Sequence, residues 1–149
     1  MSCTAFAGAA GAGQIWHWDV YVDHNKLWHH FARFAEAVKD LDPPVEGFQS
    51  VKLKHPRLRV YALKGRRTLL LWCRDASNTW QTELEQGRSP EPMTGETIEV
   101  QCFLGASLPA SARAYDPWAN RWTDLKRGVA KLVLPEFTRS LIVRLELPR

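Results

Sequence analysis

Residues 13–41 read GQIWHWDVYVDHNKLWHHFARFAEAVKDL, and how this stretch folds decides what kind of protein the rest of the chain belongs to. Gln14 to Val22 has no Pro or Gly and is rich in Trp, Tyr, Val and Ile, the residues that fill a pleated, half-buried surface. The expectation is a strand. Its side chains would alternate, placing Trp16, Trp18, Val20 and Val22 on an apolar face. Ile15, His17, Asp19 and Tyr21 would share a mixed face of the sort that lines a binding cavity. Asp23 then stands where a helix N-cap belongs, its carboxylate placed to accept the N–H of Asn25 or Lys26. Leu27, Trp28, Phe31, Phe34, Ala35, Val38 and Leu41 recur at helical spacing. Asp42-Pro43-Pro44 ends the run, because the residue before a proline is pushed out of the α region and proline supplies no N–H.

Beyond the prolines the pattern changes period. Short apolar runs at Phe48–Lys54, Leu58–Leu63, Thr68–Arg74, Thr97–Leu104, Ala112–Tyr115, Val129–Leu134 and Leu141–Leu147 predict strands. Lys52 and Lys54 alternate with Val51 and Leu53, and Arg59 and Tyr61 with Val60 and Ala62, the signature of strands with one face in water. Leu69 to Trp72 is continuously apolar and suits a central strand. Lys64-Gly65-Arg66-Arg67 predicts a hairpin turn, and Gly87 to Gly95, with Pro90 and Pro92, a loop. The fold class is therefore mainly β: an antiparallel β-sandwich preceded by one strand and one amphipathic helix. The domain division places a βα unit at 1–42 and the sandwich at 46–149.

These residues carry a resemblance. The Gly/Ala run before Gln14, the Trp-rich strand ending in Asp19, and Asp23, Asn25 and Leu27 ahead of a helix resemble the last βα unit of the (β/α)8 barrel in clan-A-like glycoside hydrolases. His24 and Trp28 depart from the usual Pro and Tyr of that pattern. In that family a β-sandwich follows the barrel, with a strand like Leu69-Leu70-Leu71-Trp72-Cys73-Arg74-Asp75 and a Trp such as Trp80 soon after. Tyr115-Asp116-Pro117 and Trp122 resemble a hairpin common in those sandwiches, where its role is mostly structural. The resemblance implies a non-catalytic C-terminal piece of a glycoside hydrolase-like protein, its sandwich supporting a carbohydrate-active barrel. It also implies that Trp16, His17, Trp18 and Asp19 lie near a sugar site. A retaining glycosidase needs two carboxylates about 5 Å apart. The family carries them on barrel strands upstream of this unit, so no catalytic residue is assigned here.

Composition narrows the alternatives. Seven Trp in 149 residues suit sugar-binding platforms as well as ordinary packing. The formal charge of +4 is spread among acidic residues rather than drawn into a stripe, which disfavours nucleic acid. Three cysteines with no CxxC pair make neither a disulfide framework nor a zinc site. Cys73 and Cys102 would need facing strands to bridge. No apolar run approaches the roughly 18 residues of a membrane span. The start, MSCTAFAGAAGAG, lacks the Lys or Arg and the hydrophobic bulk of a signal peptide, so the chain as given reads as cytoplasmic, with a parent protein free to be secreted. Gly8, Gly11 and Gly13 lack the strand, helix and Lys-Ser/Thr of a phosphate loop.

Three functional readings stand: the accessory domain, a stand-alone carbohydrate-binding module, and a self-associating interaction domain. Trp80, in the polar loop Asp75–Trp80, and Trp118 and Trp122, flanking Asn120, are the candidate sugar-stacking rings beside Trp16, Trp18, His17 and Asp19. The expected partners are carbohydrate, an upstream barrel, or a second copy paired through the N-terminal strand and helix. No cofactor is implied. His29 and His30 are neighbours on a helix, about 100° apart, and read as surface residues rather than a metal pair.

Overall fold

The computed structural model describes residues 18–106, 108–127 and 130–147. Among the described residues eight strands carry the fold: β1 (Gln49–Leu53), β2 (Leu58–Lys64), β3 (Thr68–Asp75), β4 (Thr97–Glu99), β5 (Ser111–Asp116), β6 (Arg121–Asp124), β7 (Lys131–Val133) and β8 (Ser140–Glu146). Three α-helices join them: α1 (Trp28–Ala37), α2 (Pro43–Glu46) and α3 (Gln101–Leu104). Six strands form one sheet in the order β1-β2-β3-β8-β5-β6, and β4 pairs with β7 in a second, small sheet. Every pairing is antiparallel. The protein is mainly β and sandwich-like. Among the described residues no helix is long and apolar enough to cross a membrane.

β3 sits between β2 and β8, and its side chains are buried on both faces, as its unbroken apolar run requires. Leu69, Leu71 and Cys73 face one core with Val60, Ala62, Val143 and Leu145, closed from the other side by Ile98 of β4 and Leu132 of β7. Leu70 and Trp72 face the opposite way, into a smaller cluster with Leu63, Tyr115 and Ile142 that Ala37 of α1 completes. Helix α1 thus lies on the outer face of the six-stranded sheet. The Trp122 indole N–H donates to Glu36 Oε1 at 3.0 Å, and Arg144 donates to the Lys39 carbonyl at 2.7 Å.

The front of the chain differs from its expected course. Residues 14–17 lie outside the described residues, but Trp18–Val22 form a wide, π-type helical turn instead of the end of a strand. A strand needs a neighbour for its backbone groups, and no strand of either sheet pairs with this segment. Its carbonyls turn to local donors: Asn25 N–H to Tyr21 O at 3.2 Å and Leu27 N–H to Val22 O at 2.9 Å. Asp23 is not the cap. Its carboxylate is taken by the Trp28 indole N–H at 2.9 Å, and Lys26 at φ +53° breaks the chain before α1, whose N-cap is Leu27 with no side-chain bond. The helix also ends early, at Ala37.

Asp42 caps a helix instead of merely stopping one. Its carboxylate accepts the Val45 N–H at 3.2 Å and opens α2 across the expected linker, which Gly47 closes in the left-handed region at φ +59°. Two further expectations shift. The Thr97–Leu104 strand stops at Glu99 and gives way to α3, and Arg121–Asp124, outside the expected strands, is a strand paired with β5, which makes the Tyr115–Trp122 stretch a hairpin. Cys73, buried, and Cys102, exposed on α3, are both free thiols. Burial pushes the Cys73 thiol far above its ordinary value, so it stays protonated and inert.

Candidate functional site

Antiparallel register brings several loops to one end of the large sheet. Asp75 lies opposite Leu58, Arg74 opposite Ser140, and Tyr115 opposite Ile142, so the exits of β3 and β5 and the entrances of β2 and β8 share that end. Two of the candidate tryptophans are there. Trp80, after β3, is 65% exposed, and Trp118, in the β5–β6 turn, is 42% exposed. The turn around Trp118 is built by Asp116, whose carboxylate accepts the N–H of Trp118 at 2.7 Å and of Ala119 at 3.0 Å. Asn120, at φ +52°, completes it and accepts the Tyr115 hydroxyl at 2.6 Å. Burial, with the Glu36 carboxylate next, raises the Tyr115 phenol above its usual value.

A chain of polar contacts ties the two loops together. Asn78 Nδ2 donates to Glu83 Oε2 at 2.9 Å, and the Arg139 guanidinium closes on Glu83 Oε1 through Nε at 2.9 Å and through Nη2. The same guanidinium lies 4.6 Å from the Trp118 ring centre, a cation–π contact. The Trp118 indole N–H reaches Ser140 Oγ at 3.4 Å, and the His30 ring meets Trp118 edge-on at 6.2 Å. Trp118 is thus held on one side and open on another. Trp80 has no such clamp among the described residues. It stands at the start of the helical turn Gln81–Glu85 that presents Glu83.

The Arg139 hydrogen bond, then that of Asn78, holds the Glu83 carboxyl below its usual value, and Glu83 in turn raises Arg139. A depressed folded value means that the pair contributes stability above the ordinary carboxylate value of 4.5 and loses it as pH falls through the lowered one. We expect the melting temperature of the native protein to exceed that of Glu83→Gln at neutral pH, and the two curves to converge in acid. A constant gap across the titration would contradict the ion pair.

The remaining candidates separate. Trp122 lies in the α1 seam, its indole N–H on Glu36, its ring under Arg113 at 4.7 Å and beside Tyr115 at 5.0 Å. That environment makes it a packing anchor and leaves little ring for a ligand. Asp19 is exposed, with Oδ1 accepting the next residue's N–H at 2.9 Å. Trp16 and His17 lie outside the described residues, as does the Trp18 side chain. The His29 and His30 rings approach to 4.1 Å despite their helical offset. Burial, then the neighbouring His29 and Arg33, lowers the His30 imidazole. Among the described residues no three His, Cys, Asp or Glu side chains gather as a metal site would need.

Next to this end lies an open cleft of about 680 Å³ between the β3 exit and the loop leading to β4. Its walls include Arg57, Asp75, Asn78, Arg88, Glu91 and Met93. Arg57 is fixed from behind by Glu96 Oε1 at 2.6 Å. Of these, Asp75 and Asn78 belong to the polar loop expected from sequence. Arg88, Glu83 and Arg139 carry no local sequence signal of such a role, since partners such as Glu83 and Arg139 stand 56 residues apart.

No protein-family model matches the chain, and no curated protein matches it either.

Proposed function

We propose that this chain is a non-catalytic β-sandwich accessory domain of a glycoside hydrolase-like protein, and that its loop end contacts carbohydrate for a neighbouring barrel. The observation that carries this is the presence of two exposed indoles, Trp80 and Trp118, on loops that share one end of the sheet and are bridged by Asn78, Glu83 and Arg139. Flat aromatic faces beside hydrogen-bonding side chains are what a sugar ring needs: C–H groups lie on the ring while hydroxyls meet the polar partners. The motif likeness at Leu69–Asp75 and Trp80 supports the same reading.

Saturable quenching of Trp fluorescence on titration with oligosaccharides is the test, repeated with Trp80→Ala and Trp118→Ala. Loss of the response in both variants is the expected result. A flat titration across neutral and acidic glycans would overturn sugar contact.

A second reading, association through the front segment, is favoured by Val20 and Tyr21, which are 66% and 55% exposed, and by the exposed Trp28 beside them in sequence. Such a surface suits a barrel or a second copy. Light scattering separates the two: a concentration-dependent dimer that Val20→Ser/Tyr21→Ser abolishes would establish self-association, and a monomer at all concentrations would leave the barrel as the occupant.

A further inference from the structure

Asp75 closes β3 with its side chain on the main-core side of the sheet, and the residue is only 6% exposed. Its Oδ1 accepts both the Ser77 N–H at 2.8 Å and the Ser77 hydroxyl at 2.7 Å. Its Oδ2 accepts nothing among the described residues. Yet no side-chain oxygen sealed from solvent lacks a partner there, and Asp75 lines the cleft. The second oxygen therefore keeps contact with solvent, and the cleft is the opening that Asp75 lines. A carboxylate that is nine-tenths buried, rigidly held by one oxygen and open at the other, is an acceptor set in place before any ligand arrives.

The walls say what would fit it. A divalent cation is disfavoured, because Arg57 and Arg88 line the same space and, among the described residues, no three acidic, imidazole or thiol groups gather to hold one. An anion is disfavoured too: Asp75 and Glu91 face it, and Arg57 is already paired with Glu96. What remains is a neutral ligand that donates to a carboxylate and accepts from guanidinium. Arg88 is exposed with no ion pair among the described residues. Asn78 gives its Nδ2 to Glu83, which leaves Oδ1 as a further acceptor. Buried Met93 supplies an apolar wall. The volume, about 680 Å³, is within the roughly 300–1,000 Å³ of small-molecule sites.

We propose that this cleft is a subsite for a neutral sugar with adjacent hydroxyls, which donate to Asp75 Oδ2 while Arg88 donates to a ring or hydroxyl oxygen. The inference rests on the carbohydrate reading above and adds the subsite and the ligand's charge class.

Isothermal titration of the full chain with neutral gluco-, manno- and galacto-oligosaccharides tests it, with their uronate counterparts and O-methylated forms alongside. Asp75→Asn and Arg88→Ala are each expected to weaken binding of the neutral sugar by at least about tenfold, a charge-assisted hydrogen bond being lost in each case. O-methylation should do the same. Arg88 is exposed and clear of the core, so its variant remains informative where Asp75→Asn disturbs the Ser77 turn. Binding that Trp80→Ala and Trp118→Ala remove but Asp75→Asn and Arg88→Ala leave intact would overturn the cleft and spare the carbohydrate reading. Binding confined to uronates would overturn the neutral assignment. Absence of any saturable response would overturn both.

Discussion

Leu71→Ala should lower the free energy of unfolding by about 2–5 kcal/mol, the range for emptying a well-packed leucine site. Leu71 is fully buried on the central strand, opposite Ala62 of β2 and Val143 of β8, and faces the small sheet. Ala62 is already small, so the neighbours have little with which to refill the space. Leu70→Ala should cost a similar amount for a different reason. Leu70 points the other way, opposite Leu63 and Arg144, into the cluster that α1 completes through Ala37. Its burial depends on the helix staying docked through Trp122–Glu36 and Arg144–Lys39. Urea titration of both variants measures this, with Leu84→Ala, at an exposed position, as the neutral reference. A Leu70→Ala cost under about 1 kcal/mol beside a large Leu71→Ala cost would mean that α1 leaves the sheet in solution.

The β body was legible because its signals are local. Alternation at Val51–Leu53 and Val60–Ala62 fixed which side chains turn inward, and the unpunctuated Leu69–Trp72 run marked the strand buried on both faces. The front departs from its expected course because β propensity is a statement about fitting a sheet, and among the described residues no strand pairs with Trp18–Val22. Asp23 had the right residue type for a cap, but the indole N–H of Trp28 competes for its carboxylate, a contact that five-residue spacing does not advertise. β6 has no apolar run of its own, and Asn120 makes its tight turn at positive φ with no glycine to announce it, so only the hairpin likeness at Tyr115–Pro117 and Trp122 points to this strand. The candidate site was half legible. Asp75, Asn78, Trp80 and Trp118 stand in polar turns that the sequence marks. Arg88 follows Trp80 on the same connection, its N–H on the Thr82 carbonyl at 2.9 Å, but Arg57 and Arg139 reach this end only through the register of β2, β3 and β8, and register is a long-range property.

The turn between β2 and β3 should be the other point of large sensitivity, and it depends on one carboxylate. Glu46, last residue of α2, accepts the N–H of Arg67 at 2.9 Å and of Thr68 at 3.1 Å on Oε2, and the Thr68 hydroxyl at 3.0 Å on Oε1. Its own carbonyl takes the Arg66 N–H at 2.8 Å. The short helix therefore serves as a clamp on the hairpin. Arg67 is exposed and can turn to water, but Thr68 is buried and its donors cannot. Glu46→Ala should then cost about 2–3 kcal/mol, the scale of charge-assisted bonds lost from a buried donor pair. Gly65 tests the same clamp from the other side. A Cβ there would stand 2.3 Å from Glu46 Oε2 and 2.7 Å from a Phe48 ring carbon, so Gly65→Ala must push the carboxylate away. We expect about 1–3 kcal/mol for that crowding. Because both changes break one set of contacts, the double variant should cost less than the sum of the two, by 0.5 kcal/mol or more in a double-mutant cycle. Strict additivity would show that Gly65 is needed only for Phe48, and that the Glu46 bonds do not set the geometry of the turn.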